Sequence, residues 1–303
     1  MSRVVYLNGH FVPESEAKIS IYDASVMQAA AAFEMTRSFT TATTRQHFKL
    51  LEHLHRLEAS CQALSIPMPM NIARLYGLCG EVAMANDHGP GEEHRLLIVV
   101  SPGCATMYRE LGGVIPHPFV YIADFPLRYT VAGFSKYFTE GVHCVTSKVQ
   151  QVPDACLPSF AKHRSRLHFH LAQMQAPAGT WPILTSGGIF DSVCEAPGAN
   201  VIAVRDGKIY PIDKISLNGI SMRTVIELTK TDEWGDIPIS DLRCYDELWL
   251  TGTPFCMLPV VSLDGKPIGD GVPGPVFKQT LAKWSELVGV DIQGQIAAWD
   301  SQG

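Results

Sequence analysis

A chain of 303 residues, 46% of them hydrophobic and 18% charged, is long enough to bury one large core or two moderate ones. Its formal net charge of -6, with both signs interspersed, offers no basic stripe to a nucleic-acid backbone and no polybasic cluster to anionic lipid, so neither is an expected partner. The eight cysteines are dispersed without a Cys-x-x-Cys pair, which argues against a disulfide framework or a zinc ribbon.

Taken in chain order, the stretch from Met1 to Gly9 turns polar too soon to hold the apolar core of a signal peptide, and no later run approaches the length of a membrane span. A cytoplasmic location is therefore expected. Strand-like residues 4–6 and 10–12 flank an Asn8-Gly9 turn and predict an opening hairpin. Helical periodicity covers 23–32, then 49–64, where Leu50, Leu51, Leu54, Leu57 and Leu64 recur at helical spacing, and then 71–85. Apolar strands follow at 95–100 and 119–123, so residues 1–123 read as an N-terminal α+β domain. The proline in Asp124-Phe125-Pro126 breaks the pattern, which places a linker at 124–132 and a C-terminal domain at 133–303. That second domain should hold a helix over 162–175, strands at 183–184, 200–204 and 247–251, a helix over 222–229, and a Pro-Gly-rich loop at 269–275 before a final helix.

Three features could carry chemistry. Lys162, at the mouth of its expected helix with Leu167, Phe169 and Leu171 behind it, could be desolvated enough to act as a nucleophilic amine; alone it equally fits a solvated lysine opening a helix. Glu195, in Cys194-Glu195-Ala196-Pro197-Gly198, is a carboxylate followed by small residues that let a backbone pass close to a flat ligand, or else an ordinary turn glutamate. Asn218-Gly219-Ile220-Ser221 opens a helix and Thr251-Gly252-Thr253-Pro254 forms a second turn. Both offer amides and hydroxyls to an anion, with Arg56 as a charged partner.

In order and spacing these segments resemble the class IV aminotransferases, the fold-type IV pyridoxal-phosphate enzymes, over nearly the whole chain. The likeness runs through Tyr6-Leu7-Asn8-Gly9, Phe33-Glu34-Met35-Thr36-Arg37, Glu52-His53-Leu54-His55-Arg56-Leu57, Lys162-His163-Arg164-Ser165-Arg166-Leu167, Glu195 with Asn200-Val201, Leu217-Asn218-Gly219-Ile220-Ser221, Gly252-Thr253, and Gly269-Asp270-Gly271-Val272-Pro273-Gly274-Pro275. The resemblance implies a two-domain α+β fold with pyridoxal 5'-phosphate in the interdomain cleft and a homodimer completing the site. It implies Lys162 as the Schiff-base lysine and proton carrier, and Glu195 as the partner of the pyridine nitrogen. Arg56, Asn200, Leu217, Ile220, Ser221, Gly252 and Thr253 become the remaining cofactor contacts. The implied reaction moves an amino group between an amino acid or primary amine and a keto acid.

The substrate end departs from the pattern. Gln28 stands where several relatives carry a tyrosine, and Pro102-Gly103 replaces an Arg-Gly, leaving Arg95 and Arg109 as candidates to clamp a carboxylate, with Phe33 and Pro254 beside the substrate. The Lys162-His163-x-x-Arg166-Leu167 pattern is similar to the aminodeoxychorismate lyase branch, so pyruvate-releasing elimination is the alternative activity, and a non-catalytic relative the minor one. His163, His168 and His170 on one helix, and His53 and His55 on another, lack metal-ligand spacing, and no metal is expected.

Overall fold

The computed structural model describes residues 3–301. Met1 and Ser2, part of the short N-terminal stretch that turns polar, lie outside the described residues. The chain divides into two units: Met1–Thr130 with Ala161–Arg166, and Val131–Phe160 with Leu167–Gly303.

The first unit opens with the expected hairpin, β1 (Val4–Leu7) and β2 (His10–Pro13). The helix expected over 23–32 shrinks to α1 (Ala24–Met27), capped by Asp23, whose carboxylate accepts from the Ser25 amide. Ala29 then turns left-handed (φ 53°), and residues 31–33 bond instead to residues 162–164, which draws the chain into β3 (Ala32–Met35). A small hairpin, β4 (Ser38–Thr40) and β5 (Arg45–His47), precedes α2 (Leu50–Ala63) and α3 (Ile72–Ala85). The long strands β6 (His94–Ser101) and β7 (Phe119–Pro126) complete an antiparallel sheet in the order β2-β1-β7-β6-β3. Leu54, Leu57 and Cys61 of α2 and Leu75, Leu78 and Val82 of α3 pack on Leu96, Ile98, Val120 and Ile122 of one sheet face. Each buried leucine there contributes about 1.5–3 kcal/mol.

Residues 124–126, expected in a linker, finish β7: Asp124 pairs with Leu96 and accepts from His94 of the neighbouring strand, and Pro126 falls at the strand end where no ladder amide is needed. The first unit ends in α4 (Arg128–Val131), one helical turn that runs into the second unit.

The second unit adds α5 (Ser135–Thr139), β8 (Val142–Thr146) and α6 (Leu167–Gln175), then β9 (Trp181–Ile183), β10 (Glu195–Ala196), β11 (Ala199–Arg205) and β12 (Lys208–Pro211). After α7 (Ile220–Thr229) come β13 (Glu247–Gly252), β14 (Cys256–Leu263), β15 (Lys266–Pro267), α8 (Pro275–Val288) and α9 (Ile292–Asp300). Its sheet runs β10-β11-β13-β14-β8-β9, with β12 on β11 and β15 on β14. Only the β14–β8 and β8–β9 pairings are parallel among these strands. The amides of Val276 and Phe277, at the N-terminus of α8, are taken by Glu247 of β13, both at 2.8 Å. Among the described residues no helix is long and apolar enough to cross a membrane.

Candidate functional site

Lys162 does not open a helix: α6 begins at Leu167, and 162–164 is extended. The Phe33 amide donates to the Lys162 carbonyl (3.0 Å), the Arg164 amide to the Ala31 carbonyl (2.9 Å), and the Lys162 amide to Ser60 Oγ (2.9 Å). These bonds spend the backbone amides a helix would need and fix Lys162 beside the edge strand β3, with its Nζ 4.9 Å from the centroid of the Phe33 ring. This is why the segment joins the first unit rather than the C-terminal domain expected for it.

The pleat of β3 sorts the neighbouring chemistry by face. Phe33 and Met35 point away from the helices; Glu34, between them, faces α2 and is wholly buried. Arg56, on α2, grips Glu34 through Nε (2.6 Å to Oε1) and Nη2 (2.8 Å to Oε2), and His53, one turn earlier, meets Oε2 at 2.8 Å. Burial would raise the Glu34 pKa, but Arg56 and His53 outweigh it and hold the carboxyl well below the usual range. Burial keeps His53 neutral, so its Nδ1–H donates. Ser60 donates to the Arg56 carbonyl (2.7 Å) and accepts from Lys162, tying the arginine and the lysine to one turn of helix.

Arg95 lies on the Phe33 face, only 7% exposed, with Nε and Nη1 buried and without a hydrogen-bond partner and Nη2 3.5 Å from Met35 Sδ. Burial, reinforced by the neighbouring Arg37, lowers its pKa to about 10, where it remains a cation. Arg109 stands in the exposed loop after the far end of β6, so the structure does not bring the two arginines together. Gln28 ends α1 and is exposed.

In the second unit, Glu195, Asn200 and Thr251 are consecutive cross-strand partners on β10, β11 and β13, one row on one face. Glu195 is buried and accepts from Gln151 Nε2 (2.6 Å) and the Leu217 amide (3.3 Å). Asn200 donates to the Leu217 carbonyl (2.6 Å) and so holds the turn that leads into α7. Gly219 caps that helix without a side chain, and a Cβ there would collide with Asn200 Oδ1. Ile220 and Ser221 are the first buried residues of the helix, whose leading amides have no intrahelical carbonyl. Thr251 Oγ1 is buried with no partner, directly before Gly252, Thr253 and Pro254. The N-terminus of α8 is filled by a glutamate; that of α7 starts at a glycine packed on Asn200, the cross-strand partner of the unsatisfied Thr251, an arrangement suited to an anion.

Nothing in the sequence singles out Ser60, Glu34 or Gln151 for these roles, whereas Thr251 belongs to the turn expected to offer hydroxyls to an anion. Gln151 acts across 44 residues and carries no local signal; Glu34 lies inside a motif whose other residues draw the eye. His88, His94 and Asp124 of the first unit converge closely enough to suggest a metal. Arg45, a donor only, bonds His94 Nε2 at 2.9 Å, which leaves the proton on Nδ1, donated to Asp124 at 2.5 Å. That pair is complete as a hydrogen bond.

The branched-chain-amino-acid aminotransferase of Salmonella typhimurium is 25% identical over 91% of this chain and 89% of its own. The D-alanine aminotransferase of Staphylococcus haemolyticus is 24% identical over 94% and 97%. The solved T.th. branched-chain amino acid aminotransferase with pyridoxamine 5'-phosphate superposes with a TM-score of 0.83 at 26% identity, covering 95% of each chain. The family model for amino-transferase class IV matches residues 31–263, a span that includes Lys162, Arg56, Glu195 and the α7 turn, and the chain belongs to that family.

Proposed function

We propose that this class IV aminotransferase binds pyridoxal 5'-phosphate through Lys162 and transfers an amino group between an amino acid or primary amine and a keto acid. The observation that carries it is the fixed, extended Lys162, whose carbonyl accepts from the Phe33 amide and whose amide donates to Ser60 Oγ, with its amine over Phe33. The residues fit the cofactor: the orphaned Thr251 hydroxyl and the open α7 N-terminus suit a phosphate, and the buried Glu195, held by Gln151, suits a protonated ring nitrogen. When bound, the cofactor supplies an electron sink for negative charge at the reacting carbon. Lys162 binds it and carries the proton to and from that carbon. Glu195 keeps the proton on the ring nitrogen. Asn200 and Leu217 shape the turn, while Ile220, Ser221, Gly252 and Thr253, with Arg56 as the cation, hold the phosphate. Phe33 and Pro254 border the substrate, and Arg95, buried with unmet donors, takes a substrate carboxylate.

Leu167, Leu171 and Met174 of α6, exposed by 68%, 41% and 69% at helical spacing, support a homodimer. None of the eight cysteines is held in a disulfide, which supports a cytoplasmic setting. The relatives are named as aminotransferases, and lyase chemistry is not favoured. Borohydride reduction of the yellow holoenzyme followed by peptide mapping should place the pyridoxyl label on Lys162. A label on any other lysine overturns the assignment.

A further inference from the structure

Strand register defines the face on which Lys162 stands. Phe33 and Met35 pair with Val99 and Leu97, which pair in turn with Tyr121 and Ala123, so all share one side of the first unit's sheet. The 162–164 segment extends that pleat beyond β3. Its two backbone bonds bracket the Ala32–His163 bridge, which puts Lys162 and Arg164 on the Phe33 side and His163 on the other. The Arg164 guanidinium lies 4.3 Å from the Phe33 centroid, over the same ring as the Lys162 amine, and bonds the Tyr121 side chain. No carboxylate occupies the neighbouring pleat positions of this face. Asp23, whose charge reaches Tyr121, is engaged by Ser25 and Ser101. A guanidinium half-buried on an aromatic ring, with a neutral phenol beside it, keeps a planar fork for a carboxylate and has less water to compete for it.

We propose that Arg164 is a specificity-determining residue that binds the carboxylate on the substrate's reacting carbon, so that amino acids and 2-keto acids are preferred over amines lacking that group. This rests on the assignment of Lys162 above. The two residues are one pleat repeat apart, about 6.6 Å between Cα atoms, and their side chains converge on one ring. An α-amino acid carries its nitrogen and its carboxylate on a single carbon, so one substrate spans both groups. Arg95 stands further along the same face, beyond Met35 and Leu97.

The test uses the holoenzyme and the Arg164→Gln and Arg164→Lys variants. The half-reaction is followed with an amino-acid panel in both enantiomers and with 1-phenylethylamine, and isovalerate, an unreactive carboxylate, is titrated calorimetrically. For Arg164→Gln the ratio of kcat/KM for amino acid to that for amine should fall about 10- to 100-fold, and the isovalerate Kd should rise comparably, with a smaller change for Arg164→Lys. A purely structural role lowers both rates together, leaves the ratio unmoved and overturns the proposal. A normal holoenzyme with unaltered ratio and isovalerate affinity removes Arg164 alone, whereas a pyridoxyl label mapped away from Lys162 removes both assignments.

Discussion

Glu34→Gln isolates the device that aims Arg56. Glu34 is wholly buried and receives two bonds from one guanidinium and a third from His53. The glutamine keeps the volume but removes the charge, and its amide sets a donor against the donors of Arg56. Removing one partner of a buried pair costs about 3–5 kcal/mol, chiefly because the remaining charge is left uncompensated. The pH dependence has a definite sign. The folded-state pKa of Glu34 lies below its ordinary 4.5, so the ionised group's contribution is fully present above that value and is lost as pH falls below it toward the folded value. His53, held neutral by burial below its ordinary 6.5, adds a loss in the same direction. The variant should therefore be weaker at pH 7 and show a flatter decline below about pH 4.5. All five tryptophans lie in the second unit, so their fluorescence does not report the change. Hydrogen exchange of β3 and α2 amides does. Cofactor affinity should fall about tenfold as Arg56 loses its fixed orientation. A loss under about 1 kcal/mol with unchanged affinity would refute the coupling.

Two further substitutions separate stability from function. His47 is pushed down to about 4 by burial, so protonation of the unfolded chain draws about 2–3 kcal/mol from the fold as pH drops from 6.5 toward 4; His47→Gln should remove most of that slope in urea titrations, and an identical slope would contradict it. Thr251→Val replaces an unsatisfied buried hydroxyl with a methyl group, so the apoprotein should gain about 1 kcal/mol while pyridoxal phosphate binds about tenfold more weakly. A destabilised apoprotein, or an unchanged cofactor Kd, would count against Thr251 as a phosphate contact.

The elements that position the site are legible where local pattern and tertiary packing agree. Leu50, Leu54 and Leu57 of the leucine stripe become the core face of α2, with Leu51 left exposed, and the Asn218-Gly219 turn delivers α7 within two residues of the expected start. Alanine-rich 23–32 favours a helix by propensity, yet the pairing of 31–33 with 162–164 overrides it, a choice set by a partner far along the chain. β14, CMLPVVSL, has no clear signature because a strand buried on both faces lacks polar alternation, and it is buried at nearly every position.

The same limit governs the chemistry. Lys162, Glu195 and the Asn218-Gly219 turn are each recognisable because a cofactor of fixed shape, bound as proposed, demands particular residue types in particular local conformations. The groups that aim them act across sequence: Ser60 bonds the Lys162 amide over 102 residues, Gln151 holds Glu195 over 44, and Glu34 grips Arg56 over 22. None of these supporting residues has a composition or spacing of its own to betray it. Arg164 belongs to both categories. It sits two residues from the lysine in plain view, but within the expected helix it would turn to a different side from Lys162, and only the extended pleat found here sets both cations over one ring. The extended bridge, in place of a helix, thus turns a neighbour in sequence into a neighbour in space.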